Sequence, residues 1–355
     1  MPVLFLRLRA ADLAMTSDFP YAPDCSVVIC TRDRPEHLDR CLSVLDALDY
    51  PRCEIVVVDN APSDGRTREL ADRRKVRYLL EPAPGLSRAR NRGARESTGE
   101  IIAYLDDDAI AEPGWLGGLA AEFNDPRVMA VTGRVLPLEP GGEEAQLCAA
   151  LAGRDQGPRR QVFDRDTPSW FKLANFGGIG IGANMALRAS VFNILRGFDP
   201  RLGRGAGVPA SEENYAFFEL IMRGYRVVYT PAAVVRHHSP RNFAELRQVR
   251  ISTLTEAASY LAFLLVERPD YRPATMKFIV NGIRGSGHAN GHETGRPARR
   301  MAPRWREWCA GLRGVLLYTR SRLPGRKPAS HSATDWKLGG YPNVPRDSGG
   351  IGPGG

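Results

Sequence analysis

Glu100-Ile-Ile-Ala-Tyr-Leu-Asp-Asp-Asp108 is an apolar run of strand length that ends on three consecutive carboxylates. Continuous apolar residues over so short a span describe a strand buried on both faces, the kind found in parallel sheets. Working outward, the same grammar repeats. Upstream, Cys25-Ser-Val-Val-Ile-Cys30 and Glu54-Ile-Val-Val-Val-Asp59 are two further buried strands, and Val76–Leu80 reads as another. Between them, Glu36–Leu48 spaces Leu38, Cys41, Leu42, Leu45 and Leu48 at helical intervals behind Pro35. Thr67–Arg74 and the basic stretch Gly85–Thr98 also read as helices. Strands alternating with helices predict βαβ units and an α/β fold with a mainly parallel, Rossmann-like sheet flanked by helices. Ligands of such sheets bind beyond the carboxyl ends of the strands. Thr31–Asp33, Asp59 and Asp106–Asp108 each follow a strand directly, so they are expected along one edge.

Downstream the pattern loosens. Glu112–Phe123 reads as a helix, Val128–Val135 as a strand and Pro137–Thr167 as a polar excursion without periodicity. Leu173–Arg188 is apolar and Gly-rich, Glu212–Arg223 is helical, and Arg226–Val235 holds a strand. Phe243–Val266 is a helical pattern, Ser286–Arg304 a flexible linker, Trp305–Arg322 a short basic amphipathic helix, and the tail from Pro324 has a disordered composition. The organisation expected is an N-terminal extension (1–24), one α/β domain (25–240), a helical extension (241–285) and a basic, largely flexible tail (286–355).

The 355 residues carry a net charge of +9, and the excess is local. Residues 241–355 hold about 19 Lys/Arg against about 8 Asp/Glu, whereas the preceding part is near balance. A basic end of this kind can meet anionic lipid or nucleic acid, or keep the chain soluble. The six cysteines form no C-x-x-C pair and no zinc spacing, which excludes a sequence-encoded zinc site and suits reduced thiols in a cytoplasmic protein. Met1–Ala11 lacks the features of a secretory signal. The longest apolar stretch elsewhere, Ala257–Val266, is about half the length of a spanning helix, so no membrane-crossing segment is expected.

Five constellations carry chemistry. The acids Asp106, Asp107 and Asp108 repel one another unless a cation offsets them, and a hard divalent cation does so while leaving positions for phosphate oxygens. Asp59 can accept hydrogen bonds from a base or a ribose, or begin a turn into Pro62-Ser63-Asp64-Gly65. Glu212 and Glu213, at a helix start, either complement the macrodipole or supply a carboxylate that deprotonates a hydroxyl. Arg88, Arg90 and Arg92 hold a diphosphate or form a solvated basic face. His237, after a strand, can ligate a metal. The glycines between Phe176 and Asn184 miss the G-x-G-x-x-G spacing, and there is no Walker A loop.

In order and spacing, these pieces resemble family 2 glycosyltransferases of GT-A fold. The matching stretches are Val27–Pro35, Ile55–Asn60, Gly85–Gly93, Ala103–Asp108 with Pro113-Gly-Trp-Leu116, Gly182-Ala-Asn184 with Arg188, Gly197-Phe-Asp-Pro200, Ser211-Glu-Glu213 with Gly224-Tyr225, and Val235-Arg-His237. The resemblance implies a nucleotide-diphosphate sugar donor held by Thr31, Arg32, Asp33, Asp59, Arg90, Asn91, Asp106 and Asp107. It implies Mn²⁺ or Mg²⁺ on Asp106, Asp108 and His237. Glu213 or Glu212 stands at the catalytic base, where the family usually has the Asp of a Glu-Asp pair, and inversion follows. Asp33 stands where Asn is more frequent, and Tyr215 where an acid is. Acceptors of the family include lipid-linked and cell-surface glycans. A nucleotidyltransferase would carry an N-terminal glycine loop, which Cys25–Pro35 lacks. The basic end has no nucleic-acid-binding motif, so no nucleic acid partner is expected; peripheral contact with the inner face of a membrane is the alternative for Phe243–Val266 and Trp305–Arg322.

Overall fold

A computed structural model describes residues 22–139, 141–285 and 304–322. Most of the expected N-terminal extension, the linker and the terminal tail lie outside these residues. Four parallel strands lead: β1 (Cys25–Thr31), β2 (Cys53–Asn60), β3 (Arg77–Glu81) and β4 (Ile101–Asp106). They are joined by α1 (Pro35–Leu45), α2 (Arg66–Arg74) and α3 (Leu86–Glu96). Alternation along each strand sorts the side chains into two cores. Val27, Ile29, Ile101, Ala103 and Leu105 face Leu38, Leu42 and Leu45 of α1. Val28, Val56, Val58, Ile102 and Tyr104 face the other way, over Ala89 and Ala94 of α3. A Cβ on Gly93 would strike the Val28 side chain, which is why α3 can lie so close to the sheet only with glycine there.

The second half completes a nine-stranded sheet. Its elements are β5 (Ile110–Ala111), α4 (Trp115–Ala120), β6 (Val128–Pro137), α5 (Glu143–Ala152), β7 (Gln161–Phe163), α6 (Trp170–Asn175), β8 (Asn184–Arg188), α7 (Ser190–Leu195), α8 (Glu212–Met222) and β9 (Arg226–His237). The strand order is β3-β2-β1-β4-β8-β6-β9-β5, with β7 paired to β9. Only β8, β5 and β7 run against the rest, so β1, β2, β4, β6 and β9 all end on one edge. The register keeps those ends level, Thr31 beside Asp59 and Cys30 beside Asp106. Strand order reverses between β2-β1 and β4, and such a reversal opens a crevice over the carboxyl ends.

Three expectations change. Pro113 and Gly114 shorten the helix expected over Glu112–Phe123 to α4 and a 3-10 turn, Ala121–Asn124. The excursion Pro137–Thr167 contains α5 and β7; α5 buries only Cys148, so its sequence shows little apolar period. The third concerns α9 (Phe243–Glu267), which with α10 (Arg272–Gly285) and α11 (Arg304–Ser321) follows the sheet. At 25 residues with a window of hydropathy 1.3, α9 is long and apolar enough to cross a membrane. Thr, Ser and Ala between its larger apolar residues extend the low-charge stretch beyond Ala257–Val266. Its C-terminal half nevertheless packs on protein: Tyr260, Phe263 and Leu264 join Leu202, Val208 and Tyr318 of α11.

Candidate active site

The acids at the end of β4 point in different directions. Ala109 donates its N–H to the Asp106 carbonyl at 3.0 Å, a tight turn that swings Asp107 inward. Asp107 is fully buried, accepts a 2.6 Å hydrogen bond from Thr31 Oγ1 and lies 2.6 Å from the Arg34 guanidinium. Burial pushes its carboxyl up to about 6, against Thr31 and Arg34. Asp106 and Asp108 remain on the cleft side. Their ligand atoms and one of His237, brought from β9, lie within 4.8 Å of one another. His237 Nε2 is 3.1 Å from Asp108 and 3.9 Å from Asp106. Burial opposes charge on Asp108, but the His237 hydrogen bond and the charges of His237, Arg34 and Arg204 outweigh it and hold the carboxyl well below its usual range. His237 is raised for the reciprocal reason, despite burial.

Two carboxylates and an imidazole are the ligand types of a divalent metal centre. Bonds of about 2.0–2.2 Å set neighbouring ligand atoms about 3–4 Å apart, so this cluster needs only a small contraction to hold a divalent cation. His237 Nδ1 meets two groups, the His238 carbonyl at 3.0 Å and the Arg154 guanidinium at 2.9 Å; donation to the carbonyl is the arrangement that leaves Nε2 free for a metal.

Asp59 ends β2 fully buried. Its Oδ2 accepts from the Tyr78 hydroxyl at 3.1 Å, while Oδ1 has no hydrogen-bond partner among the described residues. Burial raises this carboxyl to about 6; the Tyr78 bond opposes that, and Asp33 and Asp64 add to it. A buried acceptor without a donor marks a place for an incoming N–H or O–H. Asp33 stands at the same edge and takes the N–H and hydroxyl of Ser63, and Arg32 beside it is exposed.

At the far side of the cleft, α8 begins with Glu212 and Glu213. Glu212 is buried and accepts from Arg90 at 2.6 Å. Burial and then the neighbouring Glu213 raise its carboxyl to about 7, with Arg90 opposing. Glu213 is half-buried and accepts from the Gly182 N–H at 3.2 Å. Arg90 itself is 3% exposed, reaches the Gly182 carbonyl at 3.1 Å and Asp106 at 3.7 Å, and lies against the rings of Tyr104 and Phe198. It ties the β4 acids to the start of α8.

Four residues expected on the nucleotide sugar are thus turned into the protein. Thr31 and Asp107 join β1 to β4, and Arg90 joins α3 to α8. Asn91 donates to the Phe198 carbonyl and accepts its N–H, both at 2.8 Å, which explains the pairing of Gly85–Gly93 with Gly197–Pro200. Nor do Arg88, Arg90 and Arg92 form an open cradle for a diphosphate, since the first two are buried and Arg92 pairs with Glu96. Other motif residues also have structural duties. The Trp115 indole donates to Asn184 at 2.8 Å, and Asn184 donates to the carbonyls of Arg134 and Ala233. The cations that do face the acids were not singled out in the sequence: Arg34, 3.1 Å from Asp108; Arg154, 2.9 Å from His237 Nδ1; and exposed Arg204.

Residues 26–193 match the description "Glycosyl transferase family 2". Residues 26–193 form a domain of that family. It is the domain of a glycosyl-transferring enzyme, and the sheet is that of the GT-A fold. Among similar proteins is the glucosyl-dolichyl phosphate glucuronosyltransferase of Haloferax volcanii, 27% identical over 230 residues, which are 60% of this chain and 68% of that protein. The pre-mycofactocin glycosyltransferase of Mycobacterium tuberculosis is 29% identical over 226 residues, 61% of this chain. The chain spans 43% of that relative's length. A mannosyltransferase from Pyrobaculum calidifontis, solved in complex with GDP-Man and Mn²⁺, shares the fold at TM-score 0.51 and 19% identity, over 87% of this chain and 90% of that one.

Proposed function

We propose that this glycosyltransferase moves a sugar from a nucleotide-diphosphate donor to an acceptor hydroxyl, with metal assistance and inversion at the anomeric carbon. The observation that carries the reading is the meeting of Asp106, Asp108 and His237, separated by over a hundred residues, on the edge where Asp59 offers an unsatisfied acceptor. A divalent cation bound by these three residues would offset the charge of the diphosphate and of the departing nucleotide. Asp59 receives donors from the base or ribose, with Arg32 and Asp33 beside it. Arg34, Arg154 and Arg204 are the cations available to phosphate oxygens. Glu213 is the base that removes the acceptor proton, because it is the more accessible of the two acids and has no cation holding it; Glu212 is locked on Arg90 and positions the start of α8. The acceptor belongs to the lipid-linked or cell-surface glycans, in line with the dolichyl phosphate in the name of one relative. Residues 25–240 form the transferase unit. A cytoplasmic setting, at the inner membrane face, supplies nucleotide sugars and suits six free cysteines.

The test is a panel of UDP-, GDP- and dTDP-sugars with and without Mn²⁺ or Mg²⁺, read by thermal stabilisation and by release of nucleotide diphosphate. Stabilisation by one donor class that disappears with EDTA is expected. Equal response without metal refutes the metal role, and no response to any donor refutes the donor class.

A further inference from the structure

α11 is amphipathic twice over. One face packs on α9 through Ala310 and Tyr318, 4% and 5% exposed, and through Gly314, where a Cβ would lie 2.8 Å from that of Ala258. The opposite face is apolar too and has no protein partner among the described residues. Trp305, Trp308, Leu312 and Leu316 are each at least 60% exposed, and Val315 is 44% exposed. Their spacing of three and four residues keeps them in one stripe along the helix. Arg306, Arg313 and Arg320, each seven residues from the next, line one flank of that stripe and are exposed. The helix's one acid, Glu307, is paired with Arg250 at 3.1 Å. On the arginine side the surface falls into an open groove of about 680 Å³ between α9 and α11, lined by Arg247, Arg306 and Arg313, by Glu256, and by Ile251 and Leu317.

From this surface we infer that α11 lies in the interface of an anionic lipid bilayer. The stripe is convex, so it suits a plane that yields to side chains rather than a preformed pocket. Tryptophan and leucine are the residues that enter the headgroup boundary, and a flank of arginines meets lipid phosphates. The groove, with three arginines against one glutamate in its lining beside Ile251 and Leu317, suits the same amphiphile. α11 is also coupled to the transferase domain: Tyr318 packs with Leu202 and Val208, and Ser321 touches Gly207, in the segment that leads to Glu212. Membrane contact would therefore occur beside the start of α8, which on the proposed function carries the base for the acceptor.

The experiment is co-sedimentation of the full chain with vesicles of phosphatidylcholine alone or with about 30% phosphatidylserine. It needs neither donor nor acceptor, so its outcome is independent of the proposed reaction. Binding is expected only to the anionic vesicles, and weaker at high salt. Replacing Trp305, Trp308 and Leu312 by Ser should reduce partitioning roughly tenfold or more. Replacing Arg306, Arg313 and Arg320 by Gln should cost about fivefold per arginine, roughly a hundredfold together. All six side chains are exposed, so melting temperature should hold; should the apolar variant melt early, the arginine variant stands as the test. Anionic-vesicle binding unchanged in the arginine variant overturns the inference, since another segment would then carry it. Absence of vesicle binding, with a dimer that the apolar variant abolishes, assigns the stripe to a second copy and overturns it as well.

Discussion

Glu212 and Glu213 are adjacent in sequence and opposite in circumstance, so parallel Glu→Gln replacements separate catalysis from architecture. In Glu213→Gln the amide oxygen can still accept from the Gly182 N–H, now at 3.2 Å, and no ion pair is lost. Melting temperature should therefore move by less than about 1 °C, while loss of the base lowers kcat by about 10²–10⁴ with donor KM little changed. In Glu212→Gln the acceptor for Arg90 survives but its charge does not, and the nearest remaining carboxylate is Asp106, 3.7 Å away. The lost charge-assisted bond costs about 2 kcal/mol, but burial has already raised Glu212 to about 7, so removing a desolvated charge offsets that loss at neutral pH. The melting temperature should change little, while α8 is held less firmly and kcat falls by less than in Glu213→Gln. The assay is steady-state transfer with differential scanning fluorimetry on both proteins. A Glu213→Gln enzyme that keeps more than a tenth of wild-type kcat refutes the argument. So does a Glu212→Gln enzyme with the larger loss of kcat.

Three further outcomes follow from the geometry. Asp59 is raised to about 6 from 3.8, so its ionised form opposes folding; this costs about 3 kcal/mol of stability as pH rises from about 4 through 6. Asp59→Asn should accordingly raise the melting temperature at neutral pH while weakening nucleotide binding about tenfold, and wild-type binding should decline below pH 6, all measurable by calorimetry. Asp108→Ala should abolish stabilisation by Mn²⁺; in the wild type Mn²⁺ affinity should fall as pH drops through the raised range of His237, because proton and metal compete for Nε2. Gly182→Ala would place a Cβ 2.6 Å from an Arg90 guanidinium nitrogen, and should cost about 1–3 kcal/mol and much of the activity, seen as an earlier melt and a lower kcat.

The sheet was legible because its leading strands are buried on both faces and so appear as uninterrupted apolar runs, each closed by a polar residue at the edge that binds ligands. Asp59 and the β4 acids could be placed from that rule alone. What sequence could not display is direction. Thr31, Asp107, Arg90 and Asn91 belong to recognisable motifs, yet a motif does not say whether a residue serves the ligand or the frame that holds it. The Asp106–Ala109 turn makes that choice for Asp107, and the Phe198 backbone makes it for Asn91. Arg154 was out of reach for another reason. It follows α5, a helix with one buried residue, and meets His237 from 83 positions away, a proximity that only strand order creates.

Arg90 shows why such residues persist inside a motif. Desolvating a guanidinium is expensive, and an apolar side chain packed against Tyr104 and Phe198 could match it in stability. An apolar side chain would nevertheless leave Glu212 buried without a counter-charge and would uncouple α8 from Asp106. A charged bridge 2.6 Å from one carboxylate and 3.7 Å from the other fixes the distance between the edge that carries Asp106 and the helix that carries Glu213. Because displacements of about 1 Å already cost transfer reactions much of their rate, the buried charge is better understood as setting that distance than as stabilising the core.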